Sequence, residues 1–330
     1  MKIITLEEHC MNAAILAASK EASYKLSPGF QKAYSKGLPY SPSLEDAVNM
    51  GELRIAAMDA AGIDVQVLST NPPGVQLLSG NEAISLAKVA NDELAEAVKA
   101  HPNRFAAFAT LPMSSPEAAA AELERAVNKL GFKGTMINGR TGDLFLDHPS
   151  FAPVLATAAK LDVPIYLHPT VPALAVQDAY YNGFNSDVTT RFSTTAWGWH
   201  AETGIHALRM ILGGVFDKYP NLQIILGHWG EMIPYFLERV NESLPPEATK
   251  LDRTITEYFT NNAYVTPSGM FTLPPFMLAH QVMGADRIMY SVDYPYVSNN
   301  GAREFLEKAP ISPADKEKIA HGNAERLLKL

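Results

Sequence analysis

Short apolar, β-rich runs alternate along the chain with longer stretches whose apolar positions recur every three or four residues. The short runs predict strands at 2–7 (KIITLE), 63–68 (IDVQVL), 104–111 (RFAAFATL), 133–138 (KGTMIN), 163–167 (VPIYL), 222–226 (LQIIL), 263–266 (AYVT) and 287–292 (RIMYSV). The longer stretches predict helices at 53–61, 81–100, 116–130, 149–161 and 205–218. A last helix is expected within 312–330, with Ser312 as its N-cap, Pro313 at its first position and Asp315 three residues past the cap. Parallel strands need long crossovers, usually helical, so the pattern predicts an α/β protein with a parallel sheet. Eight units in 330 residues favour a (β/α)8 TIM barrel, one domain over residues 1–330, rather than an open doubly wound sheet. No GxGxxG or GxxxxGKS/T follows the early strands, which removes the usual dinucleotide and P-loop readings.

Two connections are longer than the rest. Residues 11–50, rich in Ser, Pro, Gly, Tyr and Lys, follow the first strand and read as a long loop. Residues 169–201 follow the fifth strand and carry Tyr180, Tyr181, Phe184, Phe192, Trp197 and Trp199. Both are βα loops, the segments from which barrel enzymes build their active sites.

Composition narrows the function class. Lys and Arg number 27 against 35 Asp and Glu, a formal net charge of −8, whereas a nucleic-acid binder needs a basic footprint. Cys10 is the lone cysteine, which excludes an intramolecular disulfide and every multi-cysteine metal site. The N-terminus, MKIITLEEHC, turns charged too early for a signal peptide, and no run approaches the length of a membrane span. A cytoplasmic enzyme without nucleic-acid or membrane partners is therefore expected.

In a barrel the C-terminal strand ends face the active site. Strand one ends in Glu7-Glu8-His9, and alternation puts Glu7 and His9 on one face with Glu8 on the other. Strand five ends in His168, strand six in His228 with Glu231 opening the next helix, and strand eight in Asp293. Each of these alone is ordinarily a capping or structural residue. Four separate strands finishing this way at one end of a barrel are better explained by a shared site. Two imidazoles and two carboxylates balance the charge of a divalent cation and leave room for water or substrate. His101, His148, His280 and His321 read as surface residues; His200 and His206 lie near the aromatic loop, and His200 is left open as a pocket residue.

At these residues the sequence resembles the amidohydrolase superfamily, in the branch often called amidohydrolase 2. Within that branch it is most similar to the decarboxylases of γ-resorcylate (2,6-dihydroxybenzoate), 2,3-dihydroxybenzoate and 5-carboxyvanillate. The resemblance is carried by LEEH at 6–9, MDAAGID at 58–64, YLHP at 166–169, the run from 202 to 231 ending GHWGE, ADRIMYSVDYP at 285–295 and NAERLLKL at 323–330. It implies one divalent ion, Zn2+ or Mn2+, held by Glu7, His9, His168 and Asp293. It also implies His228 and Glu231 as an acid/base pair and Arg239 near the substrate carboxylate. No lysine ends strand four, where binuclear relatives carry a carbamylated one, and Lys133 stands at the opposite end, so a single ion is expected.

The reaction the resemblance implies is non-oxidative decarboxylation of a hydroxylated benzoate, with Asp293 protonating the ring carbon and Phe192, Trp197 and Trp199 as candidates for an aromatic wall. The partner would be a small aromatic carboxylic acid, and a homo-oligomer, dimer or tetramer, is expected. Hydrolysis of a lactone, ester or amide could use the same residues, with Asp293 as general base. A barrel used only for binding is the non-enzymatic rival. The aromatic content of 169–201 favours decarboxylation.

Overall fold

A computed structural model describes residues 1–30 and 42–330. Among the described residues seven parallel strands form two ladders, β1 (Ile4–Cys10), β2 (Val65–Thr70) and β3 (Phe105–Ala107) in one, and β4 (Thr135–Asn138), β5 (Ile165–His168), β6 (Ile224–Leu226) and β7 (Ala263–Val265) in the other. An isolated parallel bridge Ala109↔Thr135 joins the first ladder to β4, and bridges Val265↔Ile288 and Leu6↔Ser291 join β7 to β1 through the extended segment 288–292. The eight segments thereby follow one another in a ring, as the alternation predicts. The eighth is extended as expected but pairs only at its two bridges, so it is not a full strand.

Two buried layers follow from the period-2 pattern. One inward cluster takes residues from all eight segments: Ile4 and Leu6, Val67, Ala106 and Phe108, Met136, Tyr166, Ile225, Tyr264, and Met289. Ala324 and Leu328 of the C-terminal helix Asn323–Leu328 join it. The larger cluster lies outside the ring and uses the opposite side chains, such as Leu68, Ile137, Leu167 and Leu226, against helical residues such as Leu94, Leu123 and Phe216. A ring filled this way is a packed core, so ligands are left the rim.

Most strands begin later than their apolar runs, by two residues for β1, β2, β4, β5 and β6, because a parallel ladder starts where the neighbour's register allows, whereas β7 starts at 263 as expected. Helices Gly80–Ala100 and Pro116–Leu130 fall where periodicity put them, and Ser312 Oγ accepts from Asp315 N as its cap. The 11–50 connection is not a plain loop. Its segment rich in Ala, Leu and Lys forms helix Ala13–Leu26, capped by Asn12 Oδ1 accepting from Ile15 N at 2.9 Å, and Leu44–Val48 is helical too; residues 31–41 lie outside the described residues. Likewise 169–201 contains helix Ser186–Ser193, and helix Gly198–Leu212 starts inside it rather than at 205. Among the described residues no helix is long and apolar enough to cross a membrane.

Candidate active site

The rim at the C-terminal strand ends is where the backbone departs most from easy conformations. The β1–β2 register shifts between Thr5 and Glu8, and Glu7 in that shift has φ 67°. Asp293, just past 288–292, has φ 68°. Side chains that are not glycine enter this region only where their surroundings hold them there, and such positions concentrate at functional sites.

The result is convergence. Glu7, His9, His168 and Asp293 each offer one ligand atom within 4.8 Å of the others. His9 Nε2 lies 3.1 Å from Asp293 Oδ1, and His168 Nε2 lies 3.5 Å from Glu7 Oε1. The outer sides of these groups are already engaged. His168 Nδ1 is 2.8 Å from the Pro169 carbonyl, which only accepts, so the proton sits on Nδ1 and the Nε2 lone pair faces inward. His9 Nδ1 is 3.2 Å from Ser69 Oγ. Glu7 Oε2 takes hydrogen bonds from Tyr166 Oη and Ser268 Oγ, with Ser291 Oγ at 3.5 Å. His9 Nε2 and Glu7 Oε1 are buried and make no hydrogen bond among the described residues.

Those inward atoms fit a divalent cation. Two ligands about 2.0–2.2 Å from one ion stand at most about 4.4 Å apart, so the set needs to close by only a few tenths of an ångström. The electrostatics agree. Burial pushes the Glu7 carboxyl up to about 8 and the Asp293 carboxyl to about 7, so two facing carboxylates lack a compensating charge. Burial also holds His9 at about 3 and His168 well below its usual value, keeping both imidazoles neutral with lone pairs available.

Beside this set stands a left-handed turn. His228, Trp229, Gly230, Glu231 and Met232 have φ of 49°, 58°, 87°, 52° and 66°. Each L-residue so held costs about 1–2 kcal/mol, offset by anchors. Trp229 N donates to Thr266 O at 2.8 Å, Trp229 Nε1 to Met270 O at 2.8 Å, and His228 N to Ser268 Oγ at 3.0 Å. Glu231 therefore does not open the next helix, which is Ile233–Ser243; it lies in the turn, facing His228. His228 Nδ1 is 2.8 Å from Glu231 Oε1, and His200 Nδ1 is 2.9 Å from Glu231 Oε2. Burial alone would raise the Glu231 carboxyl, but the two imidazoles outweigh it and hold it near 2. Burial likewise opposes charge on His228, and Glu231 reverses that, raising its pKa. The polar atoms of this trio face one another, an arrangement for holding and moving a proton.

Gly227 joins the two groups. A Cβ there would stand 2.4 Å from Ser268 Oγ and 3.1 Å from both Glu7 carboxylate oxygens, so glycine is required by close approach.

Other candidates sit elsewhere. Arg239 is not brought to the rim: it lies on the outer face of Ile233–Ser243, 77% exposed, 3.4 Å from Glu242. A helical residue can face outward at no cost, and an i, i+3 carboxylate holds it there. Phe192 packs edge-on against Tyr181 and Phe184, and Trp197 is exposed. Trp199 stacks with Phe30 at 6.0 Å, next to His200. Lys133 Nζ reaches Lys329 O, at the opposite end from the rim. Sequence reasoning left His200 open and missed Tyr166, Ser268 and Gly227. Tyr166 reads as core inside IYLH, and only its hydroxyl betrays another use; nothing local marks Ser268.

Known proteins share this architecture. The family profile described as amidohydrolase matches residues 40–330. A γ-resorcylate decarboxylase of Polaromonas sp. is 40% identical over 296 residues, covering 86% of this chain and 88% of that one. A solved dihydroxybenzoic acid decarboxylase from Polaromonas sp. JS666, with bound manganese and the inhibitor 2-nitroresorcinol, superposes with a TM-score of 0.87 at 36% identity, covering 100% of this chain and 97% of the other. The 5-carboxyvanillate decarboxylase of Novosphingobium aromaticivorans, with manganese and 4-hydroxy-3-methoxy-5-nitrobenzoic acid, gives 0.89 at 34%, covering 100% and 96%. With a match of that extent and a ring that carries its polar groups at the strand ends, the chain belongs to the amidohydrolase family.

Proposed function

We propose that the protein is a metal-dependent decarboxylase of hydroxylated benzoates, with one divalent cation, Mn2+ or Zn2+, held by Glu7, His9, His168 and Asp293. The observation that carries the reading is the convergence of the buried Glu7, His9 and His168 with the partly buried Asp293, where Glu7 Oε1 and His9 Nε2 make no hydrogen bond among the described residues, beside the His228–Glu231–His200 chain. The relatives named above act on, or are solved with, ring compounds of this class.

When bound, the cation supplies Lewis-acid polarisation of substrate oxygens. The chain's own residues do the rest. Tyr166 and Ser268 fix one Glu7 oxygen and so orient the other. Against the opposing effect of burial, Glu231 raises the pKa of His228, which favours the protonated imidazole and would attract an anionic carboxylate. Asp293 carries a proton taken from the substrate hydroxyl or from water and gives it to the ring carbon bearing the carboxylate. The bond from that carbon to the carboxylate then breaks, CO2 leaves, and the electron pair restores the aromatic ring. Of the aromatic candidates, Trp199 is best placed to flank a ring, since its neighbour His200 reaches Glu231. Arg239 has no part in this reading.

The test is CO2 release from a panel of hydroxybenzoates by Mn2+-loaded protein. Release is expected from acids with a hydroxyl ortho to the carboxylate and not from benzoate. Turnover of esters, lactones or amides with no CO2 from any hydroxybenzoate would replace this reading with the hydrolytic one.

A further inference from the structure

Glu8 stands between two proposed ligands in sequence but points away from them, and it is fully buried. Its contacts are specific. Oε1 accepts the backbone N–H of Val292 at 2.9 Å, and Oε2 accepts that of Tyr294 at 3.2 Å. These are the two amides that flank Asp293. Oε2 also accepts from Gln66 Nε2 at 3.3 Å. Gln66 is oriented in turn by Arg54, which can only donate. Arg54 Nη1 lies 3.2 Å from Gln66 Oε1, which leaves the Gln66 amide nitrogen for Glu8. Arg54, also fully buried, places Nη2 2.6 Å from the His9 carbonyl and Nε 2.8 Å from the Asn49 carbonyl.

The chain Arg54–Gln66–Glu8 therefore grips the backbone on both sides of the rim, at the carbonyl of His9 and at the amides around Asp293. Leu6 N to Tyr290 O and His9 N to Tyr294 O, at 2.9 and 2.7 Å, join β1 to the same segment but leave the Val292 and Tyr294 amides free for Glu8. The residue clamped between those amides is the one at φ 68°. A left-handed aspartate relaxes unless the backbone around it is held, here through the N–H groups of the residues before and after it.

We propose that Glu8 is a positioning residue, whose carboxylate sets the place of the Asp293 carboxyl by holding the peptide N–H groups on either side of it. The role of Asp293 rests on the function proposed above; the clamp itself is read from the contacts. Both oxygens accept, as an ionised carboxyl allows; burial raises the Glu8 pKa to about 8, and the Val292 and Tyr294 N–H groups pull it back toward the ionised form. Glutamine would aim an NH2 group at a peptide N–H, two donors face to face.

The test compares wild type with Glu8→Gln, each loaded with Mn2+. Far-UV circular dichroism checks folding, electron paramagnetic resonance of free Mn2+ gives the affinity, and 2,6-dihydroxybenzoate gives kcat and KM. The expected result is a folded variant whose kcat falls about 10–100-fold with KM within about threefold, and whose Mn2+ affinity is about tenfold weaker, the range for residues that orient metal ligands. A variant with a lower melting temperature but unchanged kcat and Mn2+ affinity shows a merely structural role and overturns the proposal. If Glu8→Gln does not fold, Gln66→Met decides: kcat down about 3–10-fold at constant KM supports the clamp, and unchanged kcat refutes it. Wild type that binds no Mn2+ and makes no CO2 defeats the functional reading instead; the clamp is then judged by whether Glu8→Gln alters proteolysis or hydrogen exchange at 292–294, where no change refutes it.

Discussion

Replacing Gly227 with alanine should disturb both halves of the site with one methyl group. The added Cβ would stand 2.4 Å from Ser268 Oγ, about 1 Å inside ordinary van der Waals contact, so Ser268 must move. Ser268 donates to Glu7 Oε2 and accepts from His228 N at 3.0 Å, and both bonds would weaken together. A hydrogen bond to a buried charged group is worth about 1.5–3 kcal/mol and a neutral one about 0.5–1.5, so about 2–4.5 kcal/mol is at stake. For a chain of this size that lowers Tm by about 3–6 °C. Glu7 would also lose a restraint on its ligand oxygen, and Mn2+ affinity should fall about 10–100-fold. The assay is Mn2+ titration by electron paramagnetic resonance together with calorimetry. Gly322→Ala serves as the control, because Gly322 has helical dihedrals and its nearest contact for a Cβ is an ordinary 3.5 Å. Gly227→Ala with the Tm and Mn2+ affinity of wild type would refute the claim that Ser268 couples the two groups.

Three further outcomes are expected. His228→Ala should keep its metal and lose turnover by about 10²–10⁴-fold, the usual cost of an acid/base group, whereas stoichiometric loss of Mn2+ would make His228 a ligand. Asp293→Asn keeps the shape and an oxygen but cannot supply a proton, so with Mn2+ restored it should make essentially no product; near wild-type turnover would remove Asp293 from the chemistry. His206 is buried, its Nε2 accepts from Leu146 N at 2.9 Å, and burial lowers its pKa to about 4 despite the opposing pull of Asp147. Its contribution to stability is then fully present above the unfolded value of about 6.5 and is lost as pH falls toward 4, on the order of 2–3 kcal/mol. His206→Gln should accordingly flatten Tm against pH between 7 and 4.5, and an unchanged slope would count against this.

Much of the candidate site is legible because its residues end apolar runs. Glu7, His9, His168 and Asp293 stand where alternation stops, and so does His228, so a one-dimensional pattern finds them. The ring was legible for the same reason, since eight short runs separated by helical periods leave few topologies. What escaped depends on through-space contact. Tyr166 is one position of an ordinary inward layer, and its hydroxyl matters only because Glu7 arrives from 159 residues away. The left-handed turn at 228–232 holds one glycine among five residues, too faint a signature for its shape. The helix at 13–26 is hidden by the average composition of a longer segment, and the resemblance that points to Arg239 carries no information about which way a helical side chain faces.

The most direct test of the central claim is decarboxylation in D2O by Mn2+-loaded wild type with 2,6-dihydroxybenzoate as substrate. The account predicts CO2 and resorcinol carrying one deuterium at the carbon that bore the carboxylate, with no product from Asp293→Asn alongside. Metal-loaded wild type that releases no CO2 from this or any other ortho-hydroxybenzoate would contradict it.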